Sequence, residues 1–269
     1  MPVIDSLFAI GRIRRMVWQW WYPFLTRRTR QEGTLFLNYG YEEAPAMGIP
    51  LGAGDERDRA CIQLYHRVAT QVPLAGKRVL EVSCGHGGGA SYLARTLEPA
   101  GYTGLDLNPT GIRFCQERHR VKGLDFIQGD AENLPFEPGT FDAVINVEAS
   151  HCYPDFPRFL MEVERVLRPG GHFLYADMRF REGLAEWEQA LAAAPWQIQS
   201  VRDISAEVVR GMDRNSARSL DLVARCLPKF MRGLGRDFAG TKGSRLHNAL
   251  VRGEMVYRAY GMVKLGDGS

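Results

Sequence analysis

The run Arg78-Val-Leu-Glu-Val82 has the apolar character of a buried strand, and it passes without a spacer into Ser83-Cys-Gly-His-Gly-Gly-Gly89. This reads as a strand, a glycine-rich turn and the start of a helix. Glycines let a backbone pass close to a ligand, and the helix N-terminus behind them favours carboxylate or phosphate. The alternation continues downstream. Tyr102–Asp106, Leu124–Gln128, Phe141–Val147 and His172–Asp177 read as further strands. Asn108-Pro109 places an N-cap and a first-turn proline at the start of a helix that runs to about Arg120. Phe156, Phe159, Leu160, Val163 and Leu167 mark another helix, ended by Pro169-Gly170-Gly171. Ahead of them, Ala60, Leu64, Tyr65, Val68 and Val72 form one stripe of a helix over 56–72. Strands alternating with helices imply an α/β fold with a parallel sheet covered on both faces. Such sheets bind ligands at the carboxyl ends of their strands, near the switch point. Beyond residue 183 the pattern loosens into a mostly helical stretch, about 203–250, before a last alternating strand, Glu254–Met262.

Composition narrows the setting. No run approaches the ~20 consecutive apolar residues of a membrane-spanning helix, and the first 25 residues lack the signal-peptide pattern. The five cysteines are widely spaced and form no C-x-x-C pair, as expected for a reducing cytoplasm without disulfides or structural zinc. Residues 1–30 hold six arginines against one acid, Asp5, whereas the whole chain is only +3. The basic excess therefore belongs to the N-terminal segment, where Val17–Leu25 between the arginines is rich in Trp and Tyr. That pattern suits a segment resting at the periphery of a phospholipid surface or closing over an apolar ligand, and equally a helix packed on the body. No basic stripe continues beyond it, so nucleic acid is not an expected partner.

An acid, Asp106, ends the strand after the glycine loop, placed to accept the hydroxyls of a ribose. A dinucleotide site would want glycine where Ser83 stands, and Glu81 would repel a pyrophosphate. A cationic ligand fits Glu81 better. Gly129-Asp130-Ala131-Glu132 follows the third strand and Asn146-Val147-Glu148 the fourth. With Leu167-Arg-Pro-Gly-Gly171, these motifs resemble, in order and spacing, those of class I S-adenosylmethionine-dependent methyltransferases over residues 77–178. The longer strings 81–89, 129–136 and 146–154, with Tyr41-Glu-Glu43 in the arm, are similar to the mycobacterial phthiotriol/phenolphthiotriol dimycocerosate methyltransferases and extend the likeness over nearly the whole chain. The resemblance implies a Rossmann-like seven-stranded sheet, an N-terminal arm over 1–55, and a domain over 56–269 with a helical lid at about 203–250. It implies S-adenosyl-L-methionine as cofactor, with S-adenosyl-L-homocysteine as product, held by Glu81, Ser83, Gly85, Gly87, Asp106, Leu107, Asp130, Ala131 and Asn146.

It further implies O-methylation of a long-chain lipid or glycolipid, at a phthiotriol-like hydroxyl, a fatty-acid carboxyl or a sugar hydroxyl. A non-catalytic cofactor-binding partner of a lipid-synthesis complex is the rival from another class. An alcohol acceptor must lose a proton. His151, four residues past the fourth strand, has the right chemistry for that, with Glu148 to orient it or shape the pocket. Trp21, Tyr22, Tyr39 and Tyr65 are expected to line the acceptor pocket, together with Tyr41 and the apolar residues of the lid. Asp177 stands near the correct edge for a metal, but no second acid joins it, so no metal is expected.

Overall fold

The computed structural model describes residues 23–266. Seven strands form one sheet in the order β3-β2-β1-β4-β5-β7-β6. They are β1 (Arg78–Val82), β2 (Gly101–Asp106), β3 (Leu124–Gln128), β4 (Phe141–Val147), β5 (Leu167–Phe180), β6 (Trp196–Asp203) and β7 (Met255–Lys264). The first five run parallel, and β7 lies antiparallel between β5 and β6. The helices are α1 (Arg59–Ala69), α2 (Gly88–Thr96), α3 (Pro109–Arg118), α4 (Phe156–Val166), α5 (Leu184–Ala193), α6 (Ser205–Cys226), α7 (Arg232–Phe238) and α8 (Arg245–Val251). Among the described residues no helix is long and apolar enough to cross a membrane.

Side chains alternate across the sheet. Val79, Ile145, Leu174 and Ala176 join the core under α1 and α6, whereas Leu80, Val144, Phe173 and Tyr175 join the core under α4 and α5. This two-sided burial explains why the central strands read as continuous apolar runs. Asn108 caps α3 as its sequence suggests, accepting from the Thr110 N–H at 3.0 Å.

Two elements differ from the sequence pattern. β5 is longer than His172–Asp177, because Leu167 already pairs with Phe141 across a bulge and β7 extends the pairing to Phe180. β6 has no counterpart in the expected strands. Its alternation slips phase at the bulge between Ile198 and Ser200, and apart from Trp196 it is largely exposed.

Residues 23–29 are helical, and 34–41, without regular secondary structure, cross the carboxyl end of the sheet. The Leu35 carbonyl accepts from Gly88 N–H at 3.1 Å, and Tyr41 N–H donates to the Ala60 carbonyl at 2.9 Å. A Cβ on Gly88 would stand 2.5 Å from the Leu35 oxygen, so this crossing requires glycine. Trp21 and Tyr22, expected at the acceptor, lie outside the described residues.

Candidate active site

Between β1 and β4 the strand order reverses, and there a cavity of about 680 Å³ opens at the carboxyl ends of the strands. Of the residues expected at the cofactor, Ser83, Gly85, Asp106, Leu107, Asp130 and Ala131 line it, and Glu148, His151, Tyr39 and Tyr65 line it too. Phe24 and Arg27 from the helical arm, Phe36 and Phe238 complete the wall.

Three expected cofactor contacts are not on that wall. Glu81 faces the α1 side of β1, where its two oxygens accept from the hydroxyls of Tyr65 (2.9 Å) and Tyr102 (2.8 Å). Burial raises its pKa to about 7, against the lowering effect of those two bonds. Tyr65 therefore stands between Glu81 and the cavity. Gly87 turns the other way: its φ is +74° and a Cβ would lie 2.8 Å from the Phe126 ring, so the glycine serves packing rather than ligand approach. Asn146 is fully buried behind Tyr153. Its amide donates to the Val82 carbonyl and to Tyr153 Oη, both at 2.9 Å, and its Oδ1 has no partner among the described residues.

The remaining cofactor-side residues are tightly fixed. One oxygen of Asp106 accepts from Gly85 N–H (2.9 Å) and the other from Asn108 N–H (2.8 Å). Burial raises its pKa to about 6 despite these bonds. Ser83 sits in left-handed backbone (φ 62°), its Oγ 2.6 Å from Tyr153 Oη. Asp130 Oδ1 accepts from Glu132 N–H at 3.0 Å. Tyr153 was not singled out in the sequence, although it lines the cavity and packs edge-on against Phe159.

The arm is bolted to this loop by Thr26, which is almost fully buried. His86 Nδ1 lies 2.8 Å from the Thr34 carbonyl, which only accepts, so Nδ1 carries the proton. Burial lowers the His86 pKa to about 4, which keeps the ring neutral. Nε2 then accepts from the Thr26 hydroxyl (2.9 Å), and Thr26 Oγ1 accepts from Asn108 Nδ2 (3.0 Å). Thr26→Val, nearly isosteric, is expected to cost about 1–3 kcal/mol by stranding these partners. A denaturant melt with faster proteolysis within residues 23–41 would show it. An unchanged melt would mean that the arm is held by apolar packing alone.

At the other end of the cavity, His151 occupies a 3-10 turn, Ser150–Cys152, just past β4. Its Nδ1 lies 2.8 Å from Asp177 Oδ1, and its backbone N–H donates to Asp177 Oδ2 at 2.9 Å. Asp177, on β5, is fully buried; Ser150 Oγ donates to it at 2.5 Å and Arg179 lies 3.3 Å away. Burial pushes the Asp177 carboxyl up, but the charges of His151 and Arg179 and these hydrogen bonds overcome it and hold the pKa well below the usual carboxylate range. For His151 burial opposes the imidazolium, yet Cys152 and Asp177 outweigh it and raise the ring well above its ordinary value. The expectation that Glu148 orients His151 is corrected here, because Asp177 holds that position. Glu148 instead accepts from Tyr39 N–H (3.1 Å to each oxygen) and Tyr257 Oη (3.0 Å), tying the arm to β7. Burial raises its pKa to about 8, so it is mostly protonated at neutral pH.

Two more expectations need correction. Tyr41 is fully buried, its hydroxyl donating to Glu43 at 2.6 Å, and does not reach the cavity. The helical region over 203–250 contributes only Phe238 to the wall, since Val208, Met212, Val223 and Leu227 are buried in packing and Phe230 and Leu234 face outwards.

A sequence profile described as a methyltransferase domain matches residues 80–175. The chain is 59% identical over 250 residues to a phthiotriol/phenolphthiotriol dimycocerosates methyltransferase of Mycobacterium tuberculosis, covering 93% of each. It is 54% identical to a fatty-acid O-methyltransferase of Mycolicibacterium smegmatis, covering 90% of this chain and 88% of that one. Among solved structures the cyclase SpnF superposes with a TM-score of 0.69 at 22% identity, over 92% of this chain and 95% of that one. That likeness shows the fold alone, since one fold hosts different chemistries. The identity and coverage of the first two decide the matter: the chain belongs to the methyltransferase family that includes the phthiotriol/phenolphthiotriol dimycocerosates methyltransferases and the fatty-acid O-methyltransferase.

Proposed function

We propose that this enzyme transfers a methyl group from S-adenosylmethionine to a hydroxyl oxygen of a long-chain lipid, with His151 as general base. The observation that carries the reading is His151, held by the buried Asp177, on the wall of the same cavity that the glycine loop and Asp106 line. The cavity volume lies within the range of small-molecule sites. Its wall holds the carboxylates of Asp106, Asp130 and Glu132, a set suited to a cation and unsuited to a pyrophosphate. Asp106 keeps a spare lone pair on each oxygen for vicinal hydroxyls. Asp130 and Ala131 border the end where a base would lie.

Ser83, Gly85, Asp106, Asp130 and Ala131 would hold the cofactor, which would supply an electrophilic methyl group on a sulfonium whose departing sulfur takes the carbon–sulfur electron pair. The chain's own residues do the rest. Ionised Asp177 only accepts, so it fixes the proton on Nδ1 and leaves Nε2 of His151 for the acceptor hydroxyl. The acceptor proton passes to Nε2, and Asp177 stabilises the charged ring that results. Phe24, Phe36, Tyr39 and Phe238 keep water from the reacting atoms and give an alkyl chain an apolar wall. The arm over 1–55 and the domain over 56–269 are read as one working unit, since Thr26 and Glu148 join the arm to the cofactor loop and to the sheet.

Labelled methyl transfer to free fatty acids, long-chain diols and glycolipids, read by mass spectrometry, tests this. Label on the diol hydroxyl is the expected result. Label confined to fatty acids would replace the reading with ester formation, in which the acceptor is already ionised and needs no base. Label on a sugar regardless of the acyl chain would move the substrate class to sugar hydroxyls.

A further inference from the structure

Most exposed apolar side chains of the described residues are scattered singly, which is ordinary for a protein surface. The segment around α7 is different. Phe230 is 87% exposed and Leu234 59%, and Phe238, four residues further on, lines the cavity. Leu234 and Phe238, four apart, share one side of α7, and Phe230 stands in the turn Lys229–Met231 just before it, so an apolar stripe runs from solvent to the cavity wall. It arrives on the acceptor side. A Cβ at Gly240, just past Phe238, would stand 2.8 Å from the Tyr39 ring, and Tyr39 is the residue bonded to Glu148.

The surroundings are cationic. Between Ala224 and Arg245 stand Arg225, Lys229, Arg232, Arg236, Lys242 and Arg245, with Asp237 the one acid in that span. Arg225 is paired with Asp221 (3.0 Å) and Lys242 with Asp213 (3.6 Å), so Lys229, Arg232 and Arg236 carry the charge beside the apolar side chains. Arg27 and Arg28 are exposed on the arm helix, which is joined to this region by a Cys226 Sγ contact to the Arg28 carbonyl (3.5 Å) and by the Arg225–Glu32 ion pair (3.3 Å). Arg232 also holds the Ala224 and Leu227 carbonyls, closing the end of α6 while keeping its charge at the surface.

We infer that Phe230 and Leu234, with this cationic collar, dock the enzyme on an anionic phospholipid surface and pass a bilayer-dissolved acceptor along the stripe to Phe238. This rests on the lipid reading of the site. Aromatic and aliphatic tips settle at the headgroup–acyl boundary, and Arg and Lys around them meet lipid phosphates, so insertion and charge act together. A protein partner would need a complementary acidic and apolar face. A bilayer supplies both features over any orientation of the stripe, and it is also where a long-chain acceptor resides.

The test uses the full chain and the double substitution F230S/L234S, with vesicles of phosphatidylglycerol and of phosphatidylcholine. Partition onto the phosphatidylglycerol vesicles is expected to fall at least tenfold in the variant, with an unchanged thermal melt, and binding to phosphatidylcholine is expected to be weak for both chains. Methyl transfer to a long-chain diol carried in anionic vesicles is expected to fall in parallel, while transfer to a short, water-soluble diol stays at the level of the parent chain. Equal partition of the two chains would overturn the docking surface. So would loss of a dimer in sedimentation by the variant at unchanged vesicle binding, which would assign the stripe to a second copy. Failure of the parent chain to methylate any acceptor would overturn the lipid O-methylation reading instead, since vesicle partition reports docking without turnover.

Discussion

Replacing His151 by alanine is expected to lower kcat on a hydroxyl acceptor by about 10²–10⁴-fold, the usual contribution of a positioned general base. KM should change little, whereas the melting temperature should drop, because the charged ring helps to hold the buried Asp177 carboxylate ionised. The pH profile gives a readout that lost packing would not. Asp177 raises the ring's pKa, and the base works only when the ring is neutral, so the rate should climb with pH through a value above the ordinary 6.5 and then level off. Asp177→Asn removes the negative partner. The ring's pKa then falls, and the ascending limb should move to lower pH even as the plateau drops. Asparagine also loses control of which ring nitrogen carries the proton, so a loss of about 10²-fold or more in kcat is expected. An acceptor carboxylate reverses the sign, since a charged ring would then bind the substrate and the rate would fall as pH rises. Retention of most activity by His151→Ala, or a descending limb in the parent chain, would remove the base from the mechanism.

The parallel half of the sheet was legible because its central strands are buried on both faces, its edge strand β3 alternates buried and exposed residues, and local signals bound them. The glycine loop closes β1, Asn108-Pro109 opens α3, and the 124–128 and 141–147 strands appear with their expected bounds. β6 was not legible, because its pairing to β7 contains a bulge and its residues are mostly exposed, so neither periodicity nor burial marked it. The site shows the same division. Residues at strand ends, such as Asp106 and His151, announced themselves by position. Side chains whose role depends on a neighbour from a distant element did not. Glu81, expected at the cofactor, lies off the cavity wall on the α1 side of β1, where Tyr65 of α1 and Tyr102 of β2 donate to its two oxygens. Asp177 looked at most like a metal ligand. Its role follows from register: Val147 pairs with Ala176, so the turn after β4 meets the next residue of β5. Thr26 gave no signal at all, because its partners, His86 and Asn108, are sixty or more residues away.

Asp106→Ala is expected to weaken S-adenosylmethionine binding by about 10²-fold, the equivalent of roughly 3 kcal/mol in charge-assisted hydrogen bonds to the ribose hydroxyls. Asp106→Asn should weaken it by about tenfold, since the amide keeps one acceptor oxygen and can still hold one of the two backbone N–H groups. The comparison matters because Asp106 also shapes the loop. Alanine leaves Gly85 N–H and Asn108 N–H without their acceptor, so part of its effect would appear as lost stability in a thermal melt without ligand. A ribose contact would appear beyond that, as a loss of affinity in calorimetry at a temperature where the fold is intact. The pH dependence separates the two contributions. Burial raises the pKa of Asp106 to about 6, above the ordinary 3.8. The unfolded chain therefore ionises first, and the carboxyl's contribution to the stability of the free protein falls as pH rises from about 4 to 6. Cofactor binding has the opposite sign. Hydroxyl donors favour the ionised carboxylate, so affinity should rise through pH 6 and then flatten, and this rise should vanish in Asp106→Asn. Affinity within threefold of the parent chain in a folded Asp106→Ala would place the ribose elsewhere in the cavity.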